Sequence, residues 1–183
     1  MPAFAYDPNK FPGQGSRADF EKSWLYSNKG IVLKEQGKFA EAIEEYKIAI
    51  SIYPYCAAHF CNYGNALNHL DRYADAIDAF RKAVNIAPDC TQAYADMADI
   101  YLKQKQYAEA ESICKQALRL DSKSAMSMIN LAEAYLGEKK PDEARKWLNA
   151  AIACPESKQP EYNKAISADF EKLGKLSRHD AGE

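Results

Sequence analysis

Cys56, His59 and Cys61 fall within six residues, in the stretch CAAHFCNYGN that runs from 56 to 65. Thiolate and imidazole are zinc donors, and a structural zinc holds its ligand atoms within about 2.3 Å. Whether these three can converge depends on the element that carries them. On a helix His59 and Cys61, two apart, sit about 200° apart and point to nearly opposite sides. The next thiol of matching position, Cys90, lies a full 34 residues beyond Cys56. If helices there stack at the usual spacing of about 8–10 Å, the two are too far apart to share a metal. No metal site is therefore expected, and without a C-x-x-C pair a redox role for the thiols is not expected either. Acid–base chemistry fares no better. The histidines are His59, His69 and His179, and none stands near a plausible nucleophile with a spaced acid. GQG at 13 to 15 lacks the spacing of a phosphate-binding loop. The expectation is a protein that is not an enzyme and carries no cofactor.

Bulk properties narrow the partners. A formal net charge of −2 and a pI near 6.0 leave no basic footprint for nucleic acid or an anionic membrane. No run of 18 apolar residues occurs, so no transmembrane helix is expected. MPAFAYDPNK has neither a basic n-region nor an apolar h-region, and five cysteines at irregular spacing do not form a disulfide framework. Reduced thiols and a cytoplasmic location are the simpler expectation. The 183 residues suffice for one domain with a sizeable core.

The elements that position these residues come from a repeat. Frames of 34 residues begin at Ser23, Ala57, Thr91 and Ala125. Place 20 is Ala42, Ala76, Ala110 and Ala144, and place 27 is Ala49, Ala83, Ala117 and Ala151. Place 8 is small (Gly30, Gly64, Ala98, Ala132) and place 11 large (Leu33, Leu67, Tyr101, Tyr135). Each frame fits two helices and a polar turn. In the first helix Phe60, Tyr63, Gly64 and Leu67 share one face at spacings of three and four. The second runs, in frame two, from Ala74 to Ile86 and stops before Pro88. Alanines seven apart on it let neighbouring helices approach closely.

These columns, with Phe60-x2-Tyr63-Gly64-x2-Leu67 as the clearest element, resemble the tetratricopeptide repeat family over residues 23 to about 156. The resemblance implies an all-α tetratricopeptide-repeat α-solenoid, a right-handed superhelix whose concave groove is lined by the first helix of each pair. Four repeats are expected, at 23–56, 57–90, 91–124 and 125–158, followed by a capping helix at 159–176. Tyr162, Ile166, Phe170, Leu173 and Leu176 give that helix its apolar stripe, and Pro160 suits its start. Residues 1–22 form an arm and the entry to the first helix, and 177–183 are expected to be disordered. Departures are local: Lys29 replaces an apolar seventh residue, Lys105 and Lys139 stand where Gly37 stands in frame one, and Pro141 makes frame four atypical.

Places 4, 7, 8 and 11 occupy the packing side of the first helix, so places 2, 5, 6, 9, 12 and 13 face the groove. Place 6 reads Asn28, Asn62, Asp96, Asn130, and place 9 reads Ile31, Asn65, Asp99, Glu133. An amide both donates and accepts, so this ladder suits the backbone of an extended peptide. The competing expectation for place 6 is a hydrogen bond to neighbouring backbone. Asp96, Asp99 and Glu133 make the second half of the groove acidic, and Trp24, Met126 and Ile129 add apolar contacts. The expected function is a protein- or peptide-binding scaffold for an extended neutral-to-basic segment. The alternative is a self-associating assembly module that uses the arm or end helices, giving a homo-oligomer.

One subset of the family binds the carboxylate tail of heat-shock chaperones with lysine, arginine and asparagine at set groove places. Those places hold Ser27, Ile31, Asn62, Gln92 and Asp96, or, one repeat on, Cys61, Asn65, Asp96, Met126 and Asn130. No cation is among them, so that ligand is not expected.

Overall fold

The turn after each first helix is where the repeat becomes geometry. In the computed structural model, which describes residues 14–155 and 160–179, place 15 of every frame is left-handed. Gly37 has φ 76°, Asp71 56°, Lys105 58° and Lys139 58°. The next amide then reaches back to the carbonyl at place 11: Lys38 to Leu33 at 2.9 Å, Arg72 to Leu67 at 3.0 Å, Gln106 to Tyr101 and Lys140 to Tyr135 at 2.8 Å. This six-to-one bond closes a helix and satisfies a carbonyl that would otherwise be orphaned. Glycine takes that conformation freely, whereas aspartate and lysine hold it at a cost of about 1 kcal/mol.

Nine helices occur among the described residues: α1 (Arg17–Glu35), α2 (Phe39–Ile52), α3 (Ala57–His69), α4 (Tyr73–Ile86), α5 (Thr91–Lys103), α6 (Tyr107–Leu120), α7 (Ala125–Gly137), α8 (Pro141–Ala153) and α9 (Pro160–His179). No described residue is in a strand. The starts of α3, α5 and α7 and those of α2, α4, α6 and α8 recur at the 34-residue interval. α1 begins earlier than its frame, because Ser16 caps it by accepting from the Asp19 amide at 3.4 Å. α9 continues to His179, so residues 177–179, expected to be disordered, are helical. Residues 1–13 and 180–183 lie outside the described residues.

The described residues form two compact units, divided between Ala93 and Tyr94. In a repeat array each repeat packs mainly on its neighbours. In the first unit α2 packs on α1 and α3, and α4 on α3. Gly30 of α1 lies under the Tyr46 ring, where a Cβ would sit 2.6 Å from the nearest carbon, and Gly64 lies under Phe80 at 2.9 Å. Lys29 is explained here too, since its Nζ meets Glu45 Oε1 of α2 at 2.5 Å. Phe20, Trp24, Tyr53 and Cys56 close the N-terminal end, and the Tyr53 hydroxyl donates to the Gln14 carbonyl.

In the second unit α7 packs on α6 and α8, and α9 covers both α7 and α8. Ile166, Phe170 and Leu173 of α9 join the clusters around Leu131, Tyr135, Met128 and Ile129. That is the apolar face the array would otherwise leave open. All eight alanines of places 20 and 27 are fully buried.

Candidate functional site

The three potential ligands of the opening stretch go to three different neighbourhoods. Cys56 packs against Phe20, Trp24 and Tyr53. His59 Nε2 lies 2.8 Å from Ser23 Oγ, and Cys61 Sγ lies 3.8 Å from Cys90 Sγ. Among the described residues no three of His, Cys, Asp and Glu gather as a metal would require. The sequence set Cys90 a repeat away from Cys56, and the structure brings it to Cys61 instead. The turn before α5 folds back onto α3, a proximity that sequence spacing does not reveal.

Ser23 and His59 form a pair that sequence spacing does not reveal, although among the described residues no acid completes it. Its chemistry is that of a packed core. Both residues are fully buried, and the Ser23 hydroxyl donates to the Phe20 carbonyl at 2.7 Å. A hydroxyl has one proton, so His59 Nε2–H must be the donor to Ser23 Oγ. The imidazole thus holds its proton toward the serine and cannot take one from it. His59 Nδ1 has no hydrogen-bond partner in the structure, and no carboxylate orients it. Burial pushes the His59 pKa down to about 4, so the ring is neutral near pH 7. Trp24 meets it edge-on, ring centroids 4.8 Å apart.

The ladder at place 6 turns inward. Asn28 is exposed, but Asn62, Asp96 and Asn130 are buried, at 0%, 2% and 6% exposure. Asn130 Nδ2 donates to the Ala95 carbonyl at 3.1 Å, which ties α7 to α5. In this frame the side chain at place 6 points toward the neighbouring first helix rather than out of the row. The expectation of an open ladder through Asn62, Asp96 and Asn130 is corrected accordingly. Trp24 and Ile129, expected as groove contacts, are buried as well, while Met126 stays half-buried.

Place 9 remains accessible in every frame: Ile31, Asn65, Asp99 and Glu133 are all half-buried. In the second unit both carboxylates are paired. Lys103 Nζ lies 2.8 Å from Asp99 Oδ2, one turn along α5. Lys172 of α9 reaches Glu133 at 2.8 Å and Asp169 at 2.9 Å. Asp169 is itself buried, which raises its carboxyl pKa against the opposing hydrogen bond from Lys172. The acidic half-groove is therefore laced with two lysines, one of them from the capping helix, whose charge contribution the frame does not contain. A separate cleft of about 200 Å³ lies between α3 and α4, lined by Phe60, Tyr63, Arg72, Asp75, Asp78, Ala79 and Lys82. Its charges balance, and the Arg72–Asp75 pair at 2.5 Å closes one side.

Helix pairs at a 34-residue interval, small-on-large packing at fixed places and an accessible row on the first helices define a helical-repeat protein. Tetratricopeptide repeat models match residues 28–93, 67–125 and 101–168, and the chain belongs to that family. Among solved structures, a thermophilic TPR protein of Thermus thermophilus superposes with a TM-score of 0.73 at 17% identity, over 85% of this chain and 84% of that one. MamA 41-end from Desulfovibrio magneticus gives 0.66 at 20% identity, over 86% and 96%. The first TPR of Spaghetti (RPAP3), bound to the HSP90 peptide SRMEEVD, gives 0.60 at 24% identity, over 62% and 90%. At these identities the likeness is one of fold. No curated protein sequence matches the chain.

Proposed function

We propose that this chain is a non-catalytic scaffold that holds an extended, neutral-to-basic segment of a partner protein against its first helices. The family is one of protein–protein interaction scaffolds, and the coarse reading follows from it. The finer reading is carried by place 9, a groove place that is accessible in all four frames. Asn65 supplies an amide for peptide backbone, and Asp99 and Glu133 supply carboxylates that exchange an exposed lysine for a partner cation. A carboxylate tail fits less well. Place 5, the first at which the resemblance calls for lysine, holds Ser27 or Cys61, both fully buried, and place 2, the second, holds Gln92 or Met126.

Selection of displayed random peptides on the immobilised chain tests this. Recovered sequences should be rich in lysine and arginine, and Asp99→Lys with Glu133→Lys should abolish their binding at unchanged Tm. Acidic peptides, or binding indifferent to both changes and to Asn65→Ala, would sink the reading.

A second reading, self-association through the first helix, is favoured by one observation. Places 3 and 10 are fully buried in three frames, as His59 and Ala66, Ala93 and Ile100, Ser127 and Ala134. In α1 the same places are Leu25 and Val32, 70% and 51% exposed. Sedimentation of the wild type against Leu25→Lys/Val32→Lys decides it: a concentration-dependent dimer lost in the variant supports association, and a monomer at all concentrations excludes it.

A further inference from the structure

We infer that Cys61 and Cys90 are a redox-modification site at which a peroxide closes an intramolecular disulfide. The two sulfurs stand 3.8 Å apart across 29 residues of chain, Cys61 on α3 and Cys90 in the turn that precedes Thr91, the first residue of α5. Their exposures are complementary, since Cys61 is fully buried and Cys90 half-buried. An oxidant therefore meets Cys90 first, and Cys61 waits behind it as the resolving thiol. The remaining cysteines have other company. Cys56 lies among aromatic rings and Cys154 against the Met128 sulfur. Cys114 packs with Ala98, Leu131 and Tyr135, where burial pushes its thiol up to about 12.

The chemistry balances with hydrogen peroxide as oxidant. The Cys90 thiolate attacks one peroxide oxygen and the O–O bond breaks. The departing hydroxide takes up the proton that the Cys90 thiol released on ionising and leaves as water, with Cys90 now a sulfenic acid. The Cys61 sulfur then attacks the Cys90 sulfur and the S–O bond breaks. The oxygen leaves as a second water with the Cys61 proton. Two thiols are oxidised to one disulfide, and one peroxide is reduced to two waters.

The bond would tie the turn ahead of α5 to α3, one residue from Asn62 and one helical turn from Asn65. Its formation is read from the covalent product, so it stands or falls independently of any bound peptide.

The full chain is treated with equimolar hydrogen peroxide, remaining thiols are alkylated, and chymotryptic peptides are mapped by mass without reduction. Cleavage after Tyr55, Phe60 and Tyr63 places Cys56 and Cys61 on separate peptides. The expected product is a Cys61–Cys90 cross-link, two hydrogens lighter than its parts, in monomeric protein. It should be reversed by dithiothreitol and accompanied by a rise in Tm on the order of 5 °C. Cys90→Ser, a change at a half-buried turn position, should abolish the cross-link and the Tm rise and leave Cys61 a thiol. A Cys56–Cys90 link, a disulfide between two chains through Cys90, or over-oxidised Cys90 beside an intact Cys61 thiol would each overturn the assignment.

Discussion

The two units solve the same packing problem with different pairs of residues. Where the first helix of a pair crosses the second, place 8 faces place 24. In the first unit the pairs are Gly30 with Tyr46 and Gly64 with Phe80, with no room for a Cβ beneath either ring. In the second unit place 8 is Ala98 and Ala132, and place 24 is Cys114 and Leu148, all fully buried. One side gains a methyl and the other loses an aromatic ring. Volume is traded across the contact, as close packing requires. The repeat is thus a constraint on summed size rather than on either residue. A second contrast is polar: the first unit buries an imidazole at place 3, His59, where the second has Ser127.

The largest expected effect separates the units by acid. His59 holds its folded pKa near 4, below the ordinary value of 6.5. Between those two values the unfolded chain binds a proton that the folded chain refuses. Stability is thus full above about pH 6.5 and falls by up to about 3 kcal/mol as the pH drops toward 4. In a Trp147→Phe background Trp24 reports on the first unit alone, and its acid transition should move to lower pH in His59→Gln. An unshifted midpoint would mean that another group drives acid unfolding.

Next comes the size trade itself. Gly64→Ala forces a methyl into the Phe80 ring and should cost about 1–3 kcal/mol, against the helix preference for alanine. Adding Phe80→Leu recreates the pair found in α7 and α8, so the double variant should recover part of that loss. Urea titration of the four species of the cycle gives the coupling, and strict additivity would refute the trade. Ala76→Leu, at a fully buried crossing alanine with no compensating partner, should cost a similar amount and admit no such rescue.

A smaller effect runs the other way. Lys105 and Lys139 hold left-handed turns in the second unit that Gly37 holds freely in the first. Lys139→Gly should be neutral to stabilising, by up to about 1 kcal/mol, with relief of strain opposed by the greater freedom of the unfolded chain. The same change at an ordinary helical lysine, Lys146, should destabilise by about 0.5–1 kcal/mol. Equal effects at the two sites would contradict the turn assignment. Smallest is Lys172→Ala. It removes an exposed partner of Glu133 but leaves buried Asp169 without its lysine. Asp169 should then titrate higher by NMR, while Glu133→Gln, which breaks only the exposed pair, should change Tm little.

Sequence periodicity and chain geometry each settled a different part of this protein. The helices, their 34-residue interval, the alanine stripes at places 20 and 27 and the capping role of α9 are all legible in the sequence. They depend on relations between residues a few turns apart, which a helix converts directly into faces. The same arithmetic put Asn28, Asn62, Asp96 and Asn130 on one side of the first helices. It could not say whether that side opens to solvent or leans on the neighbouring helix. Only the stacking of α7 beside α5 brings Asn130 to the Ala95 carbonyl. Likewise Cys61 with Cys90, Ser23 with His59 and Glu133 with Lys172 are 29, 36 and 39 residues apart. None of these separations is a multiple of the repeat. Such contacts depend on how a turn folds back or a cap lies down, and packing in three dimensions decides that.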